Sequence, residues 1–424
     1  MNKLFILLLS IILSIKTKNA YDYLLEWGKN NSLFISDKLG MRYINENNKT
    51  FYALDDIPPD TLIMTIPFNI ALNLKKALEL LNNKKLNKLY TEYKNQSEDV
   101  SIGFFSTTVD QTFLTYLIYL VNHRKKHFKK NKFYQYYHYF FDTFETDLDS
   151  FPIFFNKNQL QILQGSMTLL DMTLMKELFL EEIDKLEHTF NQKQIDLDEY
   201  LRFRTLIITK SLNNSQISVI PFMDMFSSDP IDYNIDFGIN ETNNDIKIFT
   251  VKKIKRDDIF YMKSSRFPNY KRFILFGETL EKMNDYIDSF HIPMISIQLR
   301  HELNLNEKEF SFEETVDLAK KKFYKDALKT YKKLSTLKKG DSSDFSAYKL
   351  FLQNLEMIRD NYAPITASDI HRQFFKTKDI DNVKRVLDFE KKFIDEKINV
   401  VRNFIEKQIK SNKKKSENKK NSDL

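Results

Sequence analysis

The 424-residue sequence contains no cysteine. That excludes disulfides, thiolate nucleophiles and Cys-ligated zinc, so any catalysis must use hydroxyls, carboxylates, amines, imidazole or a cofactor. Glycine and proline are scarce, at 7 and 9 residues, and there is 1 tryptophan. No phosphate-cradling loop is visible. Beyond the first 20 residues no apolar run is long enough to cross a bilayer. A strong excess of one charge is also missing. The formal net charge is +7, and much of it sits in the tail "KSNKKKSENKK" at 410–420. Nothing in that balance calls for nucleic acid as a partner.

What is present is a chain with 42% hydrophobic residues, enough for a substantial core, at a length that suggests roughly two to three domains. It opens "MNKLFILLLSIILSIKTKNA". The apolar run 4–15 would rise about 18 Å as a helix, short of the ~30 Å hydrocarbon core. Residues 1–20 therefore read as a signal peptide directing the chain to the secretory pathway, the ER lumen or the exterior. Sequons at Asn30, Asn48, Asn95, Asn213 and Asn240 fit that route. Cleavage after Ala20 predicts a mature chain beginning at or near Tyr21. N-terminal sequencing of protein from its native cell checks this, and an intact Met1 in a cytosolic fraction overturns it.

Strand-like runs "LFIS", "TFYA" and "LIMTI" fall within 33–67, with "DDIPPD" (55–60) as a tight turn. Helical spacing follows over 74–94, 111–144 and 156–212, for example at Phe113, Leu117 and Leu120. Strand character returns at "ISVIPF" (217–222), "DIKIFTV" (245–251) and "DIFYM" (258–262). From 296 the pattern is helical. Leu387, Ile394, Ile398, Val401 and Ile405 mark one face of a long last helix, and the tail from 410 is expected to be disordered. His123 and His127, four apart, could share a helix face as metal ligands. The basic stretch "NHRKKHFKK" around them favours a solvated face instead. The aromatic run "FYQYYHYFFDTF" (133–144) reads as a packed helix before it reads as a stacking surface.

This order and its wording resemble the SET-domain protein methyltransferases of the RuBisCO large-subunit methyltransferase-like family, over roughly residues 24–407. Six stretches carry the resemblance. They are "LLEWGKNNSLFIS" around Trp27, "FYALDDIPPDTLIMTIP" (51–67), "FPIFFNKNQLQILQGSMTL" (151–169), "VIPFMDMFSSDP" (219–230), "NYKRFILFGE" (269–278) and "NYAPITASDIHRQFFKTKDIDNVKRVLDFEKKFI" (361–394). The resemblance implies an α+β fold. A SET β-fold at 21–290, with a helical insertion at about 74–212, precedes an all-helical domain at 291–409 and a lysine-rich tail at 410–424. It further implies that the insertion and the C-terminal domain form a groove for a protein substrate or partner, with S-adenosylmethionine as cofactor if the site is active.

By the same resemblance the cofactor site falls on Asp224, Ser227, Ser228, Asn269 and Gly277, several of them substituted. Ser227 and Ser228 stand where the family has an Asn-His pair, and serine is too short to repeat a carboxamide's paired donor and acceptor. The family's Gly-x-Gly turn, where backbone approaches the cofactor closely, corresponds to the glycine-free "NENNKT" (45–50). The catalytic tyrosine position counts to Ser264 or Ser265, with Tyr261 nearby as the candidate if the domain is active. Glu278 replaces an aromatic, and the small-residue–arginine pair becomes Thr209 and Lys210. Two readings follow: a catalytically degenerate SET-type domain acting through protein binding, and an active protein-lysine or protein-histidine N-methyltransferase using S-adenosylmethionine. A structural secretory component with no ligand is a third. No metal and no membrane span of the mature chain are expected.

Overall fold

The computed structural model describes residues 20–43, 49–102, 105–143, 148–191, 195–213, 217–240, 242–283, 291–293, 315–317, 323–339, 343–362 and 377–422. The expected signal peptide and most of the glycine-free stretch at 45–50 lie outside them. The architecture is α+β, as expected. Its helices are α1 (Ala20–Asn30), α2 (Leu74–Leu81), α3 (Lys84–Gln96), α4 (Val109–His123), α5 (Lys125–Phe128), α6 (Lys132–Phe141), α7 (Lys157–Ile162), α8 (Met167–Phe190), α9 (Leu197–Lys210), α10 (Asn269–Phe276), α11 (Phe323–Lys339), α12 (Asp344–Asp360) and α13 (Thr377–Ser422).

The chain divides into two compact units. One comprises 1–99, 108–147 and 182–266; the other comprises 100–107, 148–181 and 267–424. The division cuts across the boundary expected at 290. Residues 267–283 pack with the C-terminal helices, where Asn382 on α13 accepts hydrogen bonds from both the Thr279 amide (3.1 Å) and its hydroxyl (2.7 Å).

The first unit is built on a six-stranded sheet. Its strands are β1 (Phe34–Ile35), β4 (Leu62–Ile66), β10 (Ser227–Asp229), β11 (Ile235–Ile239), β12 (Ile246–Thr250) and β13 (Tyr261–Lys263), in the order β1-β4-β12-β11-β13-β10. Between β1 and β4 in sequence, β2 (Leu39–Tyr43) and β3 (Lys49–Ala53) form an antiparallel pair; β5 (Leu72–Asn73), β8 (Ser211–Asn213) and β9 (Ile217–Val219) form a three-stranded sheet, and β6 (Val100–Ile102) pairs with β7 (Phe105–Thr107) in the second unit. The runs "TFYA", "LIMTI" and "DIKIFTV" thus fall in β3, β4 and β12. The turn "DDIPPD" is held by a two-way bridge between Ile57 and Ile254, with N–H···O distances of 2.8 and 2.9 Å, both side chains buried.

Helix α4 starts at a capping box in which Thr108 and Gln111 satisfy each other's amides. Phe113, Leu117 and Leu120 are buried as their spacing predicts, and so are Leu114, Ile118 and Val121. An apolar helix on every side can only be a core helix. A buried ion pair lies against it. Arg204 on α9 donates from Nε and Nη2 to Glu182 on α8, at 2.9 Å each, and Glu182 also accepts from Thr112 (2.8 Å) and Tyr200 (3.2 Å). The aromatic run of α6 packs as a helix: Phe133, Tyr137, Phe140 and Phe141 are buried, and the Tyr137 hydroxyl donates to the Ala71 carbonyl at 2.9 Å.

In the second unit, α11, α12 and α13 pack together around Tyr331, Leu334, Phe351 and Leu355. Leu387, Ile394, Ile398, Val401 and Ile405 are all buried, as the stripe predicts. Ile394→Ala is expected to cost roughly 2–5 kcal/mol; denaturant melts showing a change within about 0.5 kcal/mol would place the stripe on the surface. The lysine-rich end departs from expectation, because α13 continues as helix to Ser422. A helix nucleated by packing propagates at little cost per residue, even without apolar side chains.

Candidate functional site

The stretch "PFMDMFSSDP" leaves the core through an unusual backbone turn. Phe222 takes φ +74°, a left-handed conformation costly for a bulky residue. Its ring is fully buried and stacks on Trp27, with centroids 6.5 Å apart. The only residue that fits beneath it is Gly28, where a Cβ would lie 2.6 Å from the Phe222 ring. Burial of the ring offsets the strain, and the reversal aims the following residues back into the sheet. One 3₁₀ turn, Met223–Met225, then leads to Phe226, packed at 4.9 Å from Phe51.

The sheet then brings two of the expected residues side by side. Strand β10 runs parallel to β13, with Ser227 opposite Tyr261 and Ser228 opposite Met262. Directly paired residues share a face, so Ser227 and Tyr261 point the same way while Ser228 points to the other face. The Ser227 hydroxyl meets the hydroxyl of buried Thr50, on β3, at 3.2 Å. Tyr261 is half-buried, and its backbone is bracketed by Asn234. The Asn234 carboxamide accepts the Tyr261 N–H at 2.7 Å and donates to the Ile259 carbonyl at 2.9 Å, while the Asn234 N–H donates to the Tyr261 carbonyl at 2.9 Å. Ser264, one of the positions reached by counting, has its hydroxyl buried without a hydrogen-bond partner among the described residues.

Asp224 forms an ion pair with Lys210, the last residue of α9, and only 15% of the lysine side chain and 19% of the aspartate side chain are exposed. The neighbouring Thr209 hydroxyl donates to the Leu206 carbonyl at 3.1 Å. Sequence reasoning noted Lys210 and Asp224 separately and did not pair them. Thr50 enters the sequence reading only as the last residue of the glycine-free stretch 45–50, and Asn234 does not enter it at all.

Asn269 and Gly277 belong to the second unit. The Asn269 carboxamide grips the Leu280 peptide, donating to its carbonyl at 2.9 Å and accepting its N–H at 2.8 Å. Gly277 ends α10 at φ +65°, its N–H donating to the Phe273 carbonyl at 3.0 Å. A Cβ on it would lie 3.0 Å from the Ser150 carbonyl oxygen. Glycine is therefore required there by the helix end and by packing, whatever binds nearby. Glu278 pairs with the fully buried Arg272, which explains a carboxylate in this otherwise apolar segment.

The Glu199 carboxylate accepts a hydrogen bond from His123 Nδ1 at 2.6 Å, and the imidazole stacks on Tyr119. The long-range fold thus supplies a carboxylate that the local sequence lacks. Among the described residues no group of three or more His, Cys, Asp or Glu could hold a metal ion, and no helix is long and apolar enough to cross a membrane.

No protein-family profile matches the chain, and no curated protein sequence does. Solved structures do. The SET domain of LSMT bound to lysine and AdoHcy superposes with a TM-score of 0.64 at 12% identity, covering 91% of this chain and 91% of that one. Rubisco LSMT bound to AdoMet gives a TM-score of 0.62 at 12% identity, covering 92% of each. Rubisco LSMT bound to sinefungin and monomethyllysine gives 0.63 at 12%, over 91% and 92%. The chain has a SET-domain methyltransferase-like fold with a C-terminal helical region.

Proposed function

We propose that this SET-fold protein acts by binding a protein partner and that its S-adenosylmethionine site is weakened or lost. The observation that carries the reading is that residues at the expected site positions are engaged by other groups of the protein. Asp224 is closed by Lys210, and the Ser227 hydroxyl is spent on Thr50. Asn269 uses both ends of its carboxamide on Leu280. Ser227 and Ser228, on opposite faces of β10, do not reproduce a paired donor and acceptor aimed at one ligand. The residues present do not fit the cofactor held by the solved relatives, and no methyl-transfer step is assigned to them.

The expected result is no saturable S-adenosylmethionine binding at ~100 μM in calorimetric titration of the purified protein, an affinity near −5.5 kcal/mol. Losing one or two charge-assisted hydrogen bonds at ~1.5–3 kcal/mol each is enough to reach that weakness from a micromolar site. Ser227→Asn alone is not expected to restore binding, because Lys210 still occupies Asp224.

One observation favours the active alternative. Tyr261 lies directly opposite Ser227 in the ladder, so a phenol is delivered to the site face although the sequence count points to serine. In that reading S-adenosylmethionine is the cofactor and a protein lysine or histidine the methyl acceptor. A clear binding isotherm, or methyl transfer abolished by Tyr261→Phe, would establish it and overturn the first. The secretory pathway remains the compartment we propose, on the N-terminal sequence.

A further inference from the structure

Among the described residues two arginines are fully buried, Arg204 in the first unit and Arg272, on α10, in the second. Arg204 engages both oxygens of Glu182, through Nε and Nη2 at 2.9 Å each, and that carboxylate is itself only 6% exposed. Arg272 is served differently. Its Nη2 donates to one oxygen of Glu278, a side chain 37% exposed. Its Nε and Nη1 are buried and have no hydrogen-bond partner among the described residues. A guanidinium at the same depth thus keeps most of its planar fork of donors unspent.

Buried donors of a charged group are costly to leave unmatched, because they have given up water without a full replacement. The surroundings of Arg272 fit one kind of acceptor. The Phe276 ring lies against one face of the guanidinium, its centroid 5.4 Å from Cζ, while the N–H bonds point outward in the plane. A carboxylate is planar too and matches that fork with two parallel bonds. Glu278 shows that a carboxylate is received there, yet it reaches in with a single oxygen. It follows Gly277, which turns the chain at φ +65°. Thr279, the next residue, accepts from Arg385 Nη1 at 2.7 Å, so a second guanidinium borders the same turn. The half-exposed Glu278 side chain is the link between the buried fork and solvent.

We propose that Arg272 is a receptor for a carboxylate from outside the chain, and that Glu278 stands in for that carboxylate until one arrives. Glu278 swings into water, where a half-exposed side chain is readily solvated, and the incoming group takes Nη2 together with a neighbouring donor of the fork. One ion pair replaces another, so the buried cation is never left without a counter-charge. Two sources supply this chemistry: an acidic side chain on a protein partner, and a small free carboxylate. The first source rests on the protein-binding function proposed above; the receptor itself does not.

The test is thermal melting of the full chain at neutral pH, wild type against Glu278→Ala, in sodium acetate and in sodium chloride at about 100 mM each. With the stand-in removed, acetate should raise the melting temperature of Glu278→Ala by about 3 °C over chloride, as expected for a ligand at about ten times its dissociation constant. Wild type, its fork still held by Glu278, should shift by less than about 1 °C. The double variant Glu278→Ala/Arg272→Met, which strands no charge, should lose the difference between the salts. Equal melting of Glu278→Ala in the two salts overturns the proposal, and so does the same acetate shift in every protein. Should Glu278→Ala fail to fold, Glu278→Gln is compared in the same way. Capped Gly-Glu-Gly against capped Gly-Gln-Gly separates the sources. A shift with the glutamate peptide assigns the receptor to a partner's side chain, and a shift with acetate alone assigns it to a small free carboxylate. The S-adenosylmethionine titration described above decides the proposed function separately and leaves this comparison unchanged.

Discussion

Arg204→Met is expected to destabilise the protein by about 3–5 kcal/mol, because it strands a buried carboxylate without its counter-charge. Glu182 sits at 5% exposure and Arg204 at 0%, and the guanidinium meets the carboxylate through two 2.9 Å bonds. Removing it takes away the counter-charge of a carboxylate held in a low-dielectric core, which the neutral Thr112 and Tyr200 hydroxyls do not replace. The double variant Glu182→Leu/Arg204→Met is expected to be less damaged than the single one, since two apolar residues of similar volume carry no desolvation cost. Urea denaturation of both variants, read as a double-mutant cycle, checks this. A single variant within about 0.5 kcal/mol of wild type would show that the pair is hydrated rather than buried.

Gly165→Ala is expected to cost about 2–5 kcal/mol, from left-handed backbone strain and overlap together. Gly165 has φ +84°, and a Cβ there would run into the Asn361 carbonyl. Its obstacle is backbone, which cannot swing away as a side-chain tip would. Gly238→Ala is the control. A Cβ at Gly238, on β11, meets nothing nearer than the Phe249 ring at 3.7 Å. Denaturant melts should separate the two variants clearly. Equal stabilities would mean that the chain at 165 does not approach Asn361 as described.

Elements governed by local periodicity were legible in advance. The strands near "TFYA", "LIMTI" and "DIKIFTV", the core helix around Phe113 and the buried stripe of the last helix all appear where alternation or three-to-four spacing puts them. Period and apolar content are properties of neighbouring residues, so they survive in one dimension. The tail from 410 departs from the expected disorder for the same reason: composition describes polar residues, while a helix already nucleated upstream extends through them.

The candidate site was legible only as a set of positions. That Asp224 and Ser227 belong near a site came from wording that resembles a family. That Asp224 is neutralised by Lys210, that Ser227 meets Thr50 177 positions away and that Tyr261 stands opposite Ser227 came only with the folded chain. The sequence by itself determined which residues alternate, which are apolar, which sulfur chemistry is impossible and how a known fold could be threaded through the chain. Tertiary structure alone decided which polar groups neutralise one another, because hydrogen bonds and contact ion pairs need atoms about 3 Å apart in space and ignore separation along the chain. The Glu390 carboxylate on α13, which accepts the Met167 amide from 223 positions away at 2.9 Å, is the extreme case.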